Sequence, residues 1–472
     1  MSESPIRFGT DGWRAIIADE FTFENVRACA AATADHFAET RGTAQPVVVG
    51  YDTRFMSDVF ALEVARVVAG RGFRVQLASR PAPTPALSYR IIEIGGAGGL
   101  VVTSSHNPYN WNGIKVKPHY GGSASPGIVA DIERRVPAML ANPSSIAREP
   151  ESSPRIERFD PVPGYLAGLG KQVDLDRIRD AGLHIAVDPM YGTAAGLYGA
   201  LVGGGRTRLT EVHGEQNPNF PGIRAPEPIA PNLGELLALA AQDDVSVGIA
   251  NDGDADRFGL VDERGRYMDQ LRTFAVLVHY LLGERGLRGP IVRSITTTNM
   301  ANLLAKHYGV ECLVTPVGFK HIGPLMMERD ALIGGEESGG YGFRGHLPER
   351  DGVLSGLFLL DYLASTGATP SELLARVFAI TGEHFYERVD IELDPDAKER
   401  VRAALDTAAP AELAGQSVRE KDTTDGWRFV FDEGWLLFRL SGTEPLLRIY
   451  TEVRDASLVK PMLDAGRRLA SA

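Results

Sequence analysis

The chain has 472 residues, of which 44% are hydrophobic and 23% are charged. This length exceeds what one hydrophobic core normally serves, so we expect three or four domains of about 100–150 residues. The net charge of −12 argues against nucleic acid as a general partner, and no apolar run approaches the ~18 residues that span a bilayer.

Short apolar segments alternate with longer helical patterns along most of the chain, which predicts α/β layers with mixed, mainly parallel sheets. The predicted strands come in three pairs. In each pair a plain strand and a helical stretch precede a second strand that ends in a polar loop. The pairs are residues 47–49 and 100–102, 185–187 and 247–249, and 291–292 and 331–333. We therefore predict three topologically similar domains.

A stretch rich in proline and serine, residues 141–154, predicts a linker after the first of these domains. The last part of the chain lacks the paired strands, so we expect it to form a smaller, separate α+β domain. The predicted domains, arranged around a central cleft, are residues 1–150, 155–265, 266–382 and 385–472.

Residues 103–108 (TSSHNP) follow the apolar run at 100–102 and precede Lys115. A strand that ends in a hydroxyl, an imidazole and an Asn-Pro turn holds a small nucleophile at the rim of a sheet. This arrangement suits a serine that carries a phosphoryl group. Taken alone, the stretch also fits an ordinary polar loop.

Residues 252–257 (DGDADR) place Asp252, Asp254 and Asp256 at alternate positions directly after an apolar strand. Hard oxygens at this spacing suit Mg²⁺, which keeps coordination positions for a phosphate oxygen and water. A calcium loop is the main competitor, but it needs glycine where Arg257 stands and a helix before the loop. A solvated acidic turn without an ion is the third interpretation.

Residues 334–340 (GGEESGG) form a glycine-flanked loop that carries Glu336 and Ser338. Its carboxylates can accept hydrogen bonds from the vicinal hydroxyls of a sugar, and a mobile surface turn is the alternative. Upstream, residues 315–320 (TPVGFK) offer a turn at Gly318 and a cation at Lys320 as a second wall of the same pocket.

Residues 439–445 (RLSGTEP) combine Arg439 with two hydroxyls and a glycine-bearing turn, and Arg448 follows. Such a turn is a cradle for a phosphate dianion, to which arginine adds bidentate contacts. The same residues would also suit the start of a helix, because Ser or Thr followed by Glu is a capping pattern.

These four loops, in this order, resemble those of the α-D-phosphohexomutase superfamily, most closely its phosphoglucomutase and phosphomannomutase branch. Residues 8–14 (FGTDGWR) also resemble the N-terminal signature of that family. The resemblance extends over nearly the whole chain. It implies three similar α/β domains plus a smaller C-terminal domain, in agreement with the strand pattern.

The resemblance implies that Ser105 is a phosphorylated nucleophile that holds Mg²⁺ together with Asp252, Asp254 and Asp256. Lys115 is then the general acid or base, and we expect the metal and neighbouring cations to lower its pKa. The other expected site residues are His106, Arg14 and Arg257 around the transferring phosphoryl group, Glu336, Ser338, Gly318 and Lys320 around the sugar, and Arg439, Ser441, Gly442, Thr443 and Arg448 at the phosphate that does not react.

The expected activity is reversible phosphoryl transfer between O1 and O6 of a hexose phosphate, with a hexose 1,6-bisphosphate as intermediate and activator. The sugar loop differs from the patterns of glucosamine-phosphate and dual-specificity relatives, and the turn at Gly318 resembles that of glucose-preferring relatives, which favours a phosphoglucomutase. A phosphoglucosamine mutase, a bisphosphate synthase and a non-catalytic sugar-phosphate sensor are the alternatives.

The two cysteines, Cys29 and Cys312, are too few for a disulfide framework and favour a cytoplasmic location. No basic segment followed by an apolar one opens the chain, so we expect no secretory signal. The expected partner is a small-molecule hexose phosphate, with neither nucleic acid nor membrane, and the resemblance allows a monomer or a homodimer.

Overall fold

The computed structural model describes residues 5–440 and 446–471. Within them the chain forms four main sheets, one after another along the sequence, and a short two-stranded hairpin. None of the described helices is long and apolar enough to cross a membrane.

The first domain contains a six-stranded sheet with the strand order β1-β5-β4-β2-β3-β6. Its last strand pairs in parallel with β3, although the sequence analysis placed these residues in the second domain. The segment predicted as a linker therefore leads back to the edge of the first sheet. The elements are β1 (Trp13–Ile16), α1 (Phe23–Arg41), β2 (Val47–Tyr51), α2 (Ser57–Gly70), β3 (Val75–Ala78), α3 (Thr84–Glu93), β4 (Gly98–Val102), β5 (Trp111–Pro118), α4 (Pro126–Ala141) and β6 (Ile156–Phe159).

The second domain contains a five-stranded sheet with the order β11-β10-β9-β7-β8. Its central strands are buried along their whole length, as expected for strands covered by helices. The elements are α5 (Val162–Leu169), α6 (Leu175–Asp180), β7 (His184–Asp188), α7 (Leu197–Val202), β8 (Arg208–Glu211), α8 (Gly234–Ala240), β9 (Val247–Asn251), β10 (Phe258–Val261) and β11 (Tyr267–Met268).

The third domain contains a four-stranded sheet with the order β13-β12-β14-β15. One apolar cluster runs from the second domain into the third, so these two domains share a core. The elements are α9 (Gln270–His279), which a π-helical segment (Tyr280–Glu284) continues, β12 (Ile291–Ser294), α10 (Met300–Tyr308), β13 (Cys312–Thr315), α11 (Phe319–Arg329), β14 (Ile333–Gly335), β15 (Tyr341–Phe343), α12 (Gly352–Thr366) and α13 (Pro370–Thr381).

The same four-stranded unit recurs in these three sheets. Strands β2, β7 and β12 each lie between two parallel neighbours, and β4, β9 and β14 are each followed by an antiparallel strand. The three polar loops connect these last two strands in every unit. They are the serine loop (residues 103–110), the metal loop (252–257) and the sugar loop (336–340). The predicted repeat of three similar α/β domains is confirmed.

The fourth domain is a smaller α+β unit with its own apolar core and an antiparallel sheet of order β16-β22-β21-β20-β19. The predicted phosphate loop spans residues 439–445, of which 441–445, with Ser441, Gly442 and Thr443, lie outside the described residues. The elements are β16 (Phe385–Glu392), α14 (Pro395–Thr407), β17 (Glu412–Leu413), β18 (Gln416–Ser417), β19 (Glu420–Asp422), β20 (Trp427–Phe431), β21 (Gly434–Leu440), β22 (Leu446–Val453) and α15 (Val459–Ser471).

Candidate active site

Ser105 lies in the serine loop, just beyond the C-terminal end of β4. Its backbone has a φ of +50°, in the left-handed region, and its N–H donates to Thr103 Oγ1 at 2.8 Å. The side chain is buried. Its Oγ donates to Asp252 Oδ2 at 2.7 Å and lies 3.2 Å from His106 Nδ1. A strained backbone and two polar contacts therefore hold this hydroxyl in one place.

A buried ion pair between Asp52 and Arg54, at the end of β2, supports the serine loop. Asp52 Oδ2 accepts from Thr103 Oγ1 at 2.6 Å. The sequence analysis did not single out this pair, although polar residues at the end of a strand next to β4 were the available signal. Arg54 donates at 2.6 to 3.1 Å to the backbone oxygens of Ser105, Asn107, Pro108 and Trp111.

Asp252, Asp254 and Asp256 are buried, and their potential ligand oxygens lie within 4.8 Å of one another. Burial and the charges of Asp254 and Asp256 raise the pKa of Asp252 well above its ordinary value. Within the described part of the chain, Oδ1 of Asp254 and Oδ1 of Asp256 have no hydrogen-bond partner. Buried carboxylate oxygens without a partner are costly, so this cluster is one that a cation would stabilise.

The donor set around the metal loop fits Mg²⁺. Ser105 Oγ and the three carboxylates are hard oxygen donors that come from two loops. The loop runs between strands β9 and β10, so the calcium loop, which a helix precedes, does not match this structure. Ser105, Asp252, Asp254 and Asp256 are the residues that would hold the ion.

Lys115, on β5, lies among carboxylates. Its Nζ donates to Asp254 Oδ2 at 2.8 Å and to Asp256 Oδ2 at 2.6 Å, and lies 3.0 Å from Asp11 Oδ2. Burial lowers the pKa of Lys115, but the three carboxylates outweigh burial and raise this pKa above its ordinary value. The expected lowering depends on the bound metal as well as on nearby cations, and it stays a prediction.

His106, Arg14 and Arg257 meet at the serine loop. Arg257 Nη2 lies 3.4 Å from His106 Nε2, and Arg257 Nη1 donates to Glu227 Oε1 at 3.1 Å. Arg14 Nη1 donates to Asn107 Oδ1 at 2.9 Å. Burial and the charges of Arg257 and Arg14 lower the pKa of His106 well below its ordinary value. The imidazole is therefore neutral at neutral pH, and the positive charge at this place comes from the two arginines.

Arg350, which the sequence analysis missed, joins the loops of three domains. Its Nη2 lies 2.9 Å from Asp256 Oδ2 in the metal loop, and the same group pairs with Asp11 of the first domain. Its Nη1 lies 3.6 Å from Glu336 Oε2 in the sugar loop. Only a short charged run, residues 349–351, marked this position in the sequence, and no spacing rule connects it to the other loops.

The sugar loop and the turn at Gly318 are joined directly. Gly318 N–H donates to Glu336 Oε1 at 2.8 Å, and burial raises the pKa of Glu336 above its ordinary value. Ser338 Oγ is buried and has no hydrogen-bond partner among the described residues, so it can receive a ligand hydroxyl. Lys320 lies half-buried in the first turn of α11.

Arg439 and Arg448 lie on β21 and β22 as a directly paired couple, so their side chains leave the same face of the sheet. Arg439 Nε donates to Asp425 Oδ2 at 3.0 Å, and Arg448 Nε lies 3.7 Å from Asp390 Oδ2. Two guanidinium groups on one face of the sheet form a surface that suits an anion.

A buried serine opposite three aspartates, at the meeting point of repeated α/β units, defines a class of enzymes that transfer phosphoryl groups. Four family models match the chain in succession. Three are phosphoglucomutase/phosphomannomutase alpha/beta/alpha domains, I over residues 5–141, II over 163–265 and III over 269–380, and the fourth is the C-terminal domain over 393–467. The chain belongs to the phosphoglucomutase/phosphomannomutase family and is a phosphohexomutase, an isomerase.

Individual relatives match over almost their whole length. A phosphoglucomutase/phosphomannomutase from Thermococcus kodakarensis is 29% identical over 463 residues, covering 98% of each chain. A phosphoglucosamine mutase from Rubrobacter xylanophilus is 30% identical over 461 residues, covering 97% of this chain and 95% of the relative. A solved structure from Thermus thermophilus, described provisionally as a phosphomannomutase, has a TM-score of 0.86 at 34% identity and covers 99% of this chain and 100% of its own.

Proposed function

We propose that the enzyme moves a phosphoryl group between O1 and O6 of a hexose phosphate, with glucose phosphates preferred and mannose phosphates as secondary substrates. The observation that carries this proposal is the 2.7 Å contact between Ser105 Oγ and Asp252 Oδ2, within a buried trio of aspartates. A nucleophile next to a cation site is what phosphoryl transfer requires.

In the proposed cycle Ser105 carries a phosphoryl group and donates it to the free hydroxyl of the bound sugar phosphate. The bond between phosphorus and Ser105 Oγ breaks and a bond to the sugar oxygen forms. The proton of the sugar hydroxyl passes to Ser105 Oγ, with Lys115 as the general acid or base that relays it. The resulting hexose 1,6-bisphosphate reverses its orientation within the site without leaving. Ser105 Oγ then accepts the other phosphoryl group. When bound, Mg²⁺ supplies neutralisation of charge on the transferring group.

The cations around Ser105 support the transfer in the proposed mechanism. Arg14 and Arg257 contact the equatorial oxygens of the phosphoryl group, which carry the charge of the transition state. Lys115, whose Nζ contacts Asp254 and Asp256 beside Ser105, acts as the general acid or base. His106, with its lowered pKa, acts as a neutral hydrogen-bonding partner.

The substrate is proposed to lie between the sugar loop and the fourth domain. Glu336 and Ser338 bind sugar hydroxyls, with Gly318 and Lys320 beside them. A second site binds the phosphate that does not react, whichever end of the sugar carries it. Its residues are Arg439, Ser441, Gly442, Thr443 and Arg448. Because the reactive centre and this second phosphate site are separate, one enzyme can act at both O1 and O6. The reactive centre stays in place while the sugar reverses its orientation.

The experiment compares turnover of glucose 1-phosphate, mannose 1-phosphate and glucosamine 1-phosphate by the purified enzyme with Mg²⁺. We expect the highest kcat/KM with glucose 1-phosphate, and no turnover with the Ser105→Ala variant. A strong preference for the amino sugar would replace the glucose assignment. The Rubrobacter xylanophilus relative supports that second candidate, a phosphoglucosamine mutase.

The bisphosphate and the assembly are tested on the same preparation. A trace of glucose 1,6-bisphosphate should shorten any lag in turnover, because it restores phosphate to Ser105. Stoichiometric release of bisphosphate would instead identify a bisphosphate synthase. We also propose that the enzyme is a monomer or a homodimer and that it is located in the cytoplasm. Light scattering measures the oligomeric state.

A further inference from the structure

The turn at residues 316–318 contacts the sugar loop of the third domain and Asp425 of the fourth domain through two successive backbone amides. Val317 N–H donates to Asp425 Oδ2 of the fourth domain at 2.8 Å, and Gly318 N–H donates to Glu336 Oε1 of the sugar loop at 2.8 Å. Because the two donors belong to consecutive residues, both carboxylates are anchored to the same short backbone segment. Asp425 is therefore linked to the sugar carboxylate through the backbone of this turn.

Asp425 also holds the guanidinium of Arg439. Arg439 Nε donates to the same Oδ2 atom at 3.0 Å, and the two side chains are only 23% and 16% exposed. Partial shielding from water makes this pair stronger than an exposed ion pair. Because a guanidinium is planar, anchoring at Nε fixes the direction in which its other nitrogens face an anion.

The turn that carries Asp425 is itself well fixed. It connects β19 to β20, and Asp422 Oδ1 accepts from Thr424 N–H at 2.9 Å and from Thr424 Oγ1 at 2.6 Å. Gly426 follows with a φ of +94°, and a Cβ there would lie 2.1 Å from Phe438 O. The close approach to the neighbouring strand requires glycine, so the position of Asp425 is set by the sheet of the fourth domain.

Other contacts dock the fourth domain on the third without Asp425. Glu337 Oε1 accepts from Tyr386 OH at 3.0 Å and from Arg388 Nη1 at 2.9 Å, and Asn299 N–H donates to Glu452 Oε2 at 2.8 Å. An apolar cluster crosses the same interface. Removal of the Asp425 carboxylate should therefore change the geometry of the site without detaching the domain. The members of the cluster are Ile295, Trp435, Leu437 and Tyr450, with Val317 and Tyr386 packed against them.

We propose that Asp425 is a positioning residue that aligns Arg439 with the turn at residues 316–318. Through this turn Asp425 fixes the distance between Arg439 and the sugar-loop carboxylate Glu336. The inference rests on the proposed function, because it takes Arg439 and Glu336 as ligands of the two ends of one sugar phosphate. It predicts that the loss of Asp425 weakens binding of the whole ligand more than it slows the transfer itself.

The test uses two substitutions and one matched control. Asp425→Asn keeps an oxygen for Val317 N–H but removes the charge that holds Arg439, whereas Asp425→Ala removes both contacts. Asp432→Asn removes the same charge from an ion pair with Arg419 on the surface of the same domain, where both side chains are more than half exposed. Thermal melting of all three variants confirms that they fold.

We expect Asp425→Asn to raise the KM for glucose 1-phosphate about tenfold while kcat changes less than about threefold. Asp425→Ala should raise KM further and lower kcat as well, because the turn that binds Glu336 also loses its contact with Asp425. Asp432→Asn should leave both constants unchanged. If the wild-type enzyme is active and Asp425→Asn has the same KM as Asp432→Asn, the inference is overturned.

A binding measurement separates this inference from the proposed function. Glucose 6-phosphate is titrated calorimetrically into Ser105→Ala protein that carries Asp425→Ala, Glu336→Gln or both, because only the alanine removes the contact with Val317 N–H. Coupling through the turn predicts that the double substitution weakens binding by clearly less than the product of the two single effects. Strictly multiplicative effects would refute the coupling. An inactive wild type that still shows this coupling would refute the proposed reaction and leave the role of Asp425 supported.

Discussion

Ser105 Oγ and Asp252 Oδ2 lie 2.7 Å apart, although 147 positions separate these residues in the chain. The two residues belong to different domains but to the same place in the repeated unit, the loop after β4 and the loop after β9. The C-terminal ends of parallel strands open onto one edge of a sheet, so two such units that face each other bring their loops together. The reactive centre is therefore a product of how the repeated units are arranged and not of any one loop.

Replacement of Ser105 by alanine should abolish turnover and remove any phosphate that the purified protein carries. Intact-protein mass with peptide mapping locates that phosphate, and a coupled assay measures turnover. Ser104→Ala is the matched control, because Ser104 Oγ contacts Asn107 Oδ1 at 3.2 Å and is assigned no part in the transfer. Phosphate on Ser104, or full activity of the Ser105 variant, would contradict the phosphoserine mechanism.

Removal of divalent cations with a chelator should abolish turnover, and Mg²⁺ should restore it. Mg²⁺ should also raise the melting temperature, because a ligand that binds only the native state stabilises it and here offsets repulsion within the aspartate trio. Asp254→Asn should reduce this rise in melting temperature. Equal melting temperatures with and without Mg²⁺ in the wild type would argue against a cation site at the metal loop.

Arg54→Lys should lower kcat about tenfold or more with little change in KM. A lysine cannot reproduce the planar fork that reaches four backbone oxygens, so the serine loop loses its fixed shape. Arg80→Lys is the control, since Arg80 forms an exposed ion pair with Asp160. Steady-state kinetics measure kcat and KM of both variants. Equal kcat values for Arg54→Lys and Arg80→Lys would show that the serine loop does not depend on Arg54.

The free energy of unfolding should decrease as the pH falls from about 6.5 towards 4, in part because of His279. Burial, with the nearby Arg376, lowers the pKa of His279 to about 4, whereas an unfolded histidine titrates near ~6.5. Between these two values the unfolded chain binds a proton that the native protein does not, so acidification favours unfolding. Denaturant unfolding at about pH 7.5 and about pH 5 measures the effect.

His279→Phe is the comparison for this pH dependence. Phenylalanine can occupy the place between Tyr308 and Tyr362 but cannot titrate, although it loses the hydrogen bond to Tyr362 OH. The variant should be less stable at both pH values and should lose less stability on acidification than the wild type. An equal loss in both proteins would exclude His279 as a contributor.

The strands and the polar loops could be predicted from the sequence because their signals are local. Runs such as residues 247–249 are apolar and short, and a polar motif follows each directly, so strand, loop and order were all visible. The repeat was visible for the same reason, since the alternation of strand and helix recurs along the chain. These local features were sufficient to identify the family.

The contacts between loops could not be predicted in the same way. Arg350 reaches the metal loop and the sugar loop from a segment without a recognisable motif, and Asp11 joins it from the other end of the chain. The approach of Asp11 to Lys115 could not be predicted either, because it depends on the tertiary fold. Electrostatic neighbours separated by hundreds of positions require the structure.

The position of β6 has a practical consequence for anyone who wishes to study the first domain by itself. The family match to that domain ends at residue 141, yet β6 supplies the outermost strand of its sheet. A fragment cut at 141 would leave the backbone of β3 bare along one side, ready to recruit a strand from another molecule and precipitate. An excised fragment that runs through Phe159 keeps that border covered and is the sensible one to express.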